Sequence, residues 1–203
     1  MQVIKYPARE FWSTLLSRPA IDRKSLFEKV GSIVSEVKQN GDKAVKKYTL
    51  QFDKVSIEEL EVSQEEIEEA SLQIPNQLKE AIEMCRRNIW KFHSAQQHDL
   101  PEIQTTPGVV CWQKAMPIEK VGLYVPGGTA PLFSTVLMLG VPAQIAECKE
   151  IVLCTPPDKE GKIHPAVLYA AKVAGIHRIF KIGGIQAIAA MAYGTETIPK
   201  TYK

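Results

Sequence analysis

The chain has 203 residues, 45% of them hydrophobic and 24% charged, with a net charge of +2. That composition suits one or two globular domains with a real core. A charge so close to neutrality gives no electrostatic reason to expect nucleic acid or an anionic membrane surface as a partner. No apolar run reaches membrane-spanning length, and the N-terminus lacks the apolar core of a signal peptide. The four cysteines, Cys85, Cys111, Cys148 and Cys154, are scattered without a C-x-x-C. They read as reduced, mostly buried thiols of a cytoplasmic protein.

Pro7 suits a first helical turn, and Phe11, Trp12, Leu15 and Leu16 form one apolar stripe that ends before Pro19. Asp22 or Ser25 is placed to cap a second helix, in which Leu26, Val30, Ile33, Val34 and Val37 recur at helical spacing. Asn40-Gly41 should stop it, and a third helix carries Ala44, Val45, Tyr48 and Phe52. Residues 58–69 are strongly acidic; Ser63-x-x-Glu66 has capping-box spacing, which favours a solvated helix face over a cation site. After Pro75, a long amphipathic helix over 76–93 carries Leu78, Ile82, Cys85, Ile89 and Phe92, and Asp99-Leu100-Pro101 ends it. The local basic run Arg86-Arg87-Asn88-Ile89-Trp90-Lys91 reads as its solvated face. Residues 102–106 and 109–113 flank Pro107-Gly108, a hairpin signal.

Beyond Pro117 the pattern becomes regular. Apolar, partly β-branched runs begin at Val121, Ile151 and Ile179. Helix-like segments follow at 132–146, with a kink or break expected at Pro142, at 165–174 and at 185–193. Strand starts about 30 residues apart are those of βαβ units, so parallel strands with right-handed crossovers are expected. The chain divides on this reading into a helix-rich region with a hairpin, residues 1–118, and a βαβαβα unit, residues 119–203. Pro199 to Lys203 falls where a fourth strand should start, which is expected of part of a longer protein.

Chemistry is sparse. His93, His98, His164 and His177 form no H-E-x-x-H or H-x-H pair; His93 reads as a core or boundary residue and His164 and His177 as solvated. There is no G-x-S-x-G and no P-loop, and Ser134 has no paired base. Cys111 and Cys154 read as buried, inert thiols. What remains are two glycine-rich turns after strands, Pro126-Gly127-Gly128-Thr129 and Gly183-Gly184. Such turns let backbone approach a ligand or take positive φ, and a tight turn with no ligand fits the first equally well. Ligands of open α/β sheets bind beyond the carboxyl ends of the strands. Tyr124 and Gln186 stand at the rim of that edge, where a phenol and an amide could hold a nucleotide.

Val121 to Met138, Ile151 to Pro157 and Gly183 to Glu196 resemble histidinol dehydrogenases, as do Leu15-Leu16-Ser17-Arg18-Pro19 and Phe52-Asp53-Lys54. The resemblance covers essentially the whole chain. It implies a zinc-dependent homodimer with Rossmann-like domains. Such an enzyme oxidises L-histidinol to L-histidine through an aldehyde in two NAD-dependent steps of histidine biosynthesis. It also implies that Tyr124 and Gln186 contact NAD. The family's Gly-Pro-Gly-Asn turn, zinc ligands, glutamate–histidine catalytic pair and histidinol-binding residues match nothing in this sequence. The expectation is therefore an N-terminal portion that carries part of the NAD site and is inactive alone. The alternative is a stand-alone, non-catalytic nucleotide-binding or interaction module.

Overall fold

The computed structural model describes residues 3–18, 24–97, 100–128 and 130–203. Pro19, Asp22, His98, Asp99 and Thr129, which the sequence singles out, lie outside the described residues. A single 3-10 turn (Arg9–Phe11) leads into α1 (Trp12–Leu15). There follow α2 (Lys24–Asp53), α3 (Gln64–Gln73), α4 (Asn76–Ser94) and the strands β1 (Ile103–Thr106) and β2 (Val109–Cys111). The remainder alternates: β3 (Lys120–Tyr124), α5 (Phe133–Ile145), β4 (Glu150–Thr155), α6 (Pro165–Val173), β5 (Arg178–Lys181) and α7 (Gly184–Tyr193).

β3, β4 and β5 form a parallel sheet in that order, with Val121 opposite Ile151 and Leu153 opposite Ile179. Their near-continuous apolar sequences follow from burial on both faces. Val121, Ile151, Leu153 and Ile179 enter one core with residues of α3, α4, α5 and α6. Val152, Cys154, Phe180 and Ile182 enter a second core with α2 and α7. β1 and β2 pair antiparallel in a separate, fully exposed hairpin. This is the expected helix-rich α/β chain with a hairpin and a three-stranded parallel sheet.

Both edges of the sheet are occupied. Beside β5, Val62 N–H donates to the Ile179 carbonyl and Lys181 N–H to the Leu60 carbonyl, at 2.8 and 2.7 Å. Glu61 there pairs with Arg178 at 2.5 Å. Beside β3, Tyr202 N–H donates to the Lys120 carbonyl at 2.9 Å and Gly122 N–H to the Lys203 carbonyl at 2.7 Å. The chain thus builds outward from β3 to β5 and then returns to the opposite flank of β3. That reversal makes β3 the switch point of the sheet.

Several local expectations change. Gly41 does leave helical backbone, at φ 51 and ψ −133, but no loop follows; the two halves of α2 meet there directly. The second half is capped from afar, because Glu196 Oε2 accepts from Asp42 N–H at 2.7 Å. Ser25 lies inside α2 rather than capping it. α5 runs unbroken through Pro142 to Ile145. Pro142 sits in the last turn; it leaves the Met138 carbonyl without its i+4 donor, but its own carbonyl still accepts from Ala146 N–H at 2.9 Å. The stripe of Phe11, Trp12, Leu15 and Leu16 is exposed, as are Leu26 and Phe52. The acidic stretch forms the expected capping box between Ser63 and Glu66. It is not wholly solvated, since Glu66 also meets the buried Lys181 ammonium at 3.2 Å.

The cysteines are less buried than the sequence suggests: Cys85 and Cys111 are exposed, Cys148 is half-buried and Cys154 is buried. Cys111 belongs to the exposed hairpin. Cys85 is exposed although it lies on the same side of α4 as Leu78, Ile82 and Ile89, which pack into the core. No helix among the described residues is long and apolar enough to cross a membrane.

Candidate cofactor site

The parallel register brings the carboxyl ends of β3, β4 and β5 to one edge, so the turns after them are neighbours. Tyr124 is the last residue of β3 and packs toward the core shared with α2 and α7. Its hydroxyl accepts from the Gly184 N–H at 2.9 Å. Gly184 opens α7 with φ 60, a backbone conformation that favours glycine. The residue before it, Gly183, has no side chain with which to cap the helix, and the tyrosine supplies the missing acceptor from 60 residues away. The aromatic residue and the helix start that the sequence places on one edge are therefore joined by a hydrogen bond.

Gln186 differs from its sequence reading. It is not at a rim but fully buried, at 0% exposure. α7 is clamped between the sheet and α2, and the third position of the helix faces inward. Neither Oε1 nor Nε2 of Gln186 has a hydrogen-bond partner among the described residues. A Cβ placed on Gly184 would lie 3.0 Å from Oε1, so the amide folds back toward the amino end of the helix. A buried primary amide with its donors and its acceptor unspent is costly. A ligand offering both kinds of polar group would satisfy it.

A cleft of about 200 Å³ opens between the turns after β3 and β4, lined among others by Gly127, Gly128, Pro156, Asp158, Lys162 and His164. Two of its polar side chains are engaged locally. Asp158 Oδ1 accepts from Glu160 and Lys162 N–H at 2.9 and 2.8 Å. His164, read from sequence as merely solvated, is exposed but caps α6: its Nδ1 accepts from Ala166 N–H at 3.1 Å. A hollow of about 440 Å³ lined by Trp90, Gln144, Lys149 and His177 sits at the amino ends of the strands, away from the edge where open α/β sheets bind ligands.

The other candidates bring no convergent chemistry. Cys154 ends near the same edge, but burial pushes its thiol pKa up and keeps it uncharged; burial raises that of Cys148 as well. His93 is half-buried and bonds Gln96 at 2.9 Å. Among the described residues no group of three His, Cys, Asp or Glu side chains could hold a metal ion, so this donor set does not fit zinc.

A family model described as histidinol dehydrogenase matches residues 16–203. The chain belongs to the histidinol dehydrogenase family. It is 60% identical over 203 residues to a histidinol dehydrogenase of Bacteroides thetaiotaomicron, an alignment that takes in 100% of this chain and 47% of that relative. It is 48% identical over 190 residues to the histidinol dehydrogenase of Escherichia coli K12, covering 93% of this chain and 43% of that one. A crystal structure of histidinol dehydrogenase from Elizabethkingia anophelis superposes with a TM-score of 0.91 at 49% identity, over 96% of this chain and 45% of that one. The chain thus spans just under half the length of the histidinol dehydrogenases it matches.

Proposed function

We propose that this chain is the N-terminal portion of an oxidoreductase that converts L-histidinol to L-histidine through an aldehyde with two NAD. Its own share of the work is to hold NAD by Tyr124 and Gln186. The observation that carries this reading is the buried, unpartnered Gln186 amide beside the amino end of α7. NAD, when bound, supplies the hydride acceptor. Tyr124 orients the start of α7 through Gly184, and Gln186 offers a donor and an acceptor. The positive end of the α7 dipole favours an anionic group of the ligand there.

Zinc, the proton-handling groups and the histidinol-binding residues belong, on this reading, to the rest of the full-length protein. That protein is a cytoplasmic homodimer, and the 203-residue chain by itself does not turn over histidinol. The test is steady-state kinetics of the full-length protein with Tyr124→Ala. Histidinol-dependent NADH formation is expected in the parent. The variant should show a raised Michaelis constant for NAD and little change in that for histidinol. No NADH from histidinol in the parent, or an unaltered NAD dependence in the variant, would sink the reading.

A further inference from the structure

Pro156 opens the turn after β4, and its ring stands between the glycine turns that follow β3 and β5. A Cβ placed on Gly127 would lie 2.6 Å from Pro156 Cγ, with Cβ and Cδ next at 3.6 and 3.7 Å. A Cβ placed on Gly183 would lie 2.6 Å from Pro156 Cβ, 3.2 Å from Cγ and 3.4 Å from Cα. Contacts of 2.6 Å are closer than carbon atoms approach in a packed interior. Backbone conformation demands glycine at neither place. Gly183 is extended, at φ −117 and ψ −176, and Gly127 is not among the glycines with positive φ. Gly128, beside it, has open space where its Cβ would be. The two glycines are thus explained by the ring they flank and not by a turn type.

This arrangement has a consequence for the cofactor edge. Tyr124 lies three residues before Gly127, and Gln186 three residues after Gly183. Whatever sets the spacing of the two glycines sets the spacing of those side chains. A pyrrolidine ring suits that task because it fixes φ and has almost no rotamer freedom. We propose that Pro156 is a positioning residue of the NAD site: seated between two glycines, it fixes the separation of the turns that carry Tyr124 and Gln186. The proposal rests on the reading of this edge as the NAD site.

The glycine geometry yields an asymmetric test. NAD affinity is measured by titration calorimetry, beside thermal melts, on the full-length protein carrying Gly127→Ala, Gly183→Ala, Pro156→Ala and the two doubles with Pro156→Ala. Each glycine variant should weaken NAD about fivefold or more, the effect of a modest overpacking strain transmitted to the site. Pro156→Ala removes Cγ and Cδ and keeps Cβ. The nearest surviving atom to a Cβ at 127 is then 3.6 Å away, an ordinary contact, whereas the 2.6 Å clash at 183 persists. Pro156→Ala should therefore rescue Gly127→Ala, so that this double binds NAD as Pro156→Ala alone does, and should fail to rescue Gly183→Ala. Rescue of both, rescue of neither, or melting temperatures that fall with NAD affinity unchanged would each overturn the proposal. Tyr124→Ala in the same series separates the two possible failures. If it too leaves NAD affinity unchanged, the cofactor lies elsewhere. If it weakens NAD while Gly127→Ala does not, the cofactor reading stands and Pro156 has no part in it.

Discussion

Gln186→Met should make the protein more stable and a poorer binder of NAD. Both polar atoms of the Gln186 side chain are buried and unpartnered among the described residues. A buried group left without its hydrogen bond costs about 1–3 kcal/mol. Methionine is of similar length, unbranched and tolerant of irregular surroundings, so the exchange removes that cost with little cavity or strain. In a chain of 203 residues 1 kcal/mol moves the melting temperature by about 2–4 °C, and by less in the longer full-length protein; a rise is expected without NAD. Losing the amide's bond to the cofactor should cost about 0.5–1.5 kcal/mol of binding, up to roughly tenfold in affinity. Bound ligand stabilises the native state by mass action, so a tenfold weaker NAD removes about 1.4 kcal/mol of that stabilisation at a fixed high concentration. Thermal melts of the full-length variant and parent, with and without NAD, measure both quantities. A variant that melts lower than the parent without NAD would show that the amide is satisfied within the fold. An equal NAD-induced shift would show that it does not touch the cofactor.

Two further outcomes concern the helices. Gly41→Ala should lower stability by about 3 kcal/mol, since φ 51 with ψ −133 is a region nearly closed to other residues. A Cβ there would also lie 2.2 Å from the Glu196 oxygen that caps the second half of α2. A chemical denaturation midpoint equal to that of the parent would refute this. Asp53 ends α2 at the negative end of its dipole, and burial, with Oδ2 unpartnered among the described residues, raises its carboxyl pKa. A carboxyl whose folded pKa lies above its unfolded one weakens the fold when ionised. That penalty is fully present above the folded pKa and fades as pH falls toward the unfolded one. Asp53→Asn should therefore raise the melting temperature of the 203-residue chain at pH 7 by about 1–2 °C, from about 0.5 kcal/mol of relieved unfavourable charge at the helix end. The gain should shrink on acidification; one that grows instead would contradict the assignment.

The parallel sheet was legible because burial on both faces writes the strands as unbroken apolar runs, and βαβ spacing separates them. Tyr124 was legible as the end of a strand, and Gly183-Gly184 as the turn that leads into a helix. The burial of Gln186 had a signal that rim placement overlooked: it is the one polar side chain between Ile185 and Met191, in a helix otherwise apolar all round. The edge pairing of residues 60–62 was hidden in an acidic stretch, because pairing with β5 depends on residues nearly 120 positions away. The role of Gly127 and Gly183 was hidden for a related reason. A glycine chosen to admit a ring from another loop looks, in sequence, like a glycine chosen for its own conformation.

The long-range cap on α2 bears on how the chain comes to be folded. Glu196 reaches Asp42 across 154 residues, and the inner side of α2 is buried chiefly against α7 and the sheet. At a synthesis rate of 5–20 residues per second, roughly 8–30 s separate the emergence of the two partners from the ribosome. During that interval Ile33, Val37, Val45 and Tyr48, all buried in the finished core, have no sheet to cover them. α4 waits similarly for α5 and α6. The N-terminal helices thus have high contact order despite their local hydrogen bonds, and their apolar faces are open to misassembly until the last third of these residues has been made.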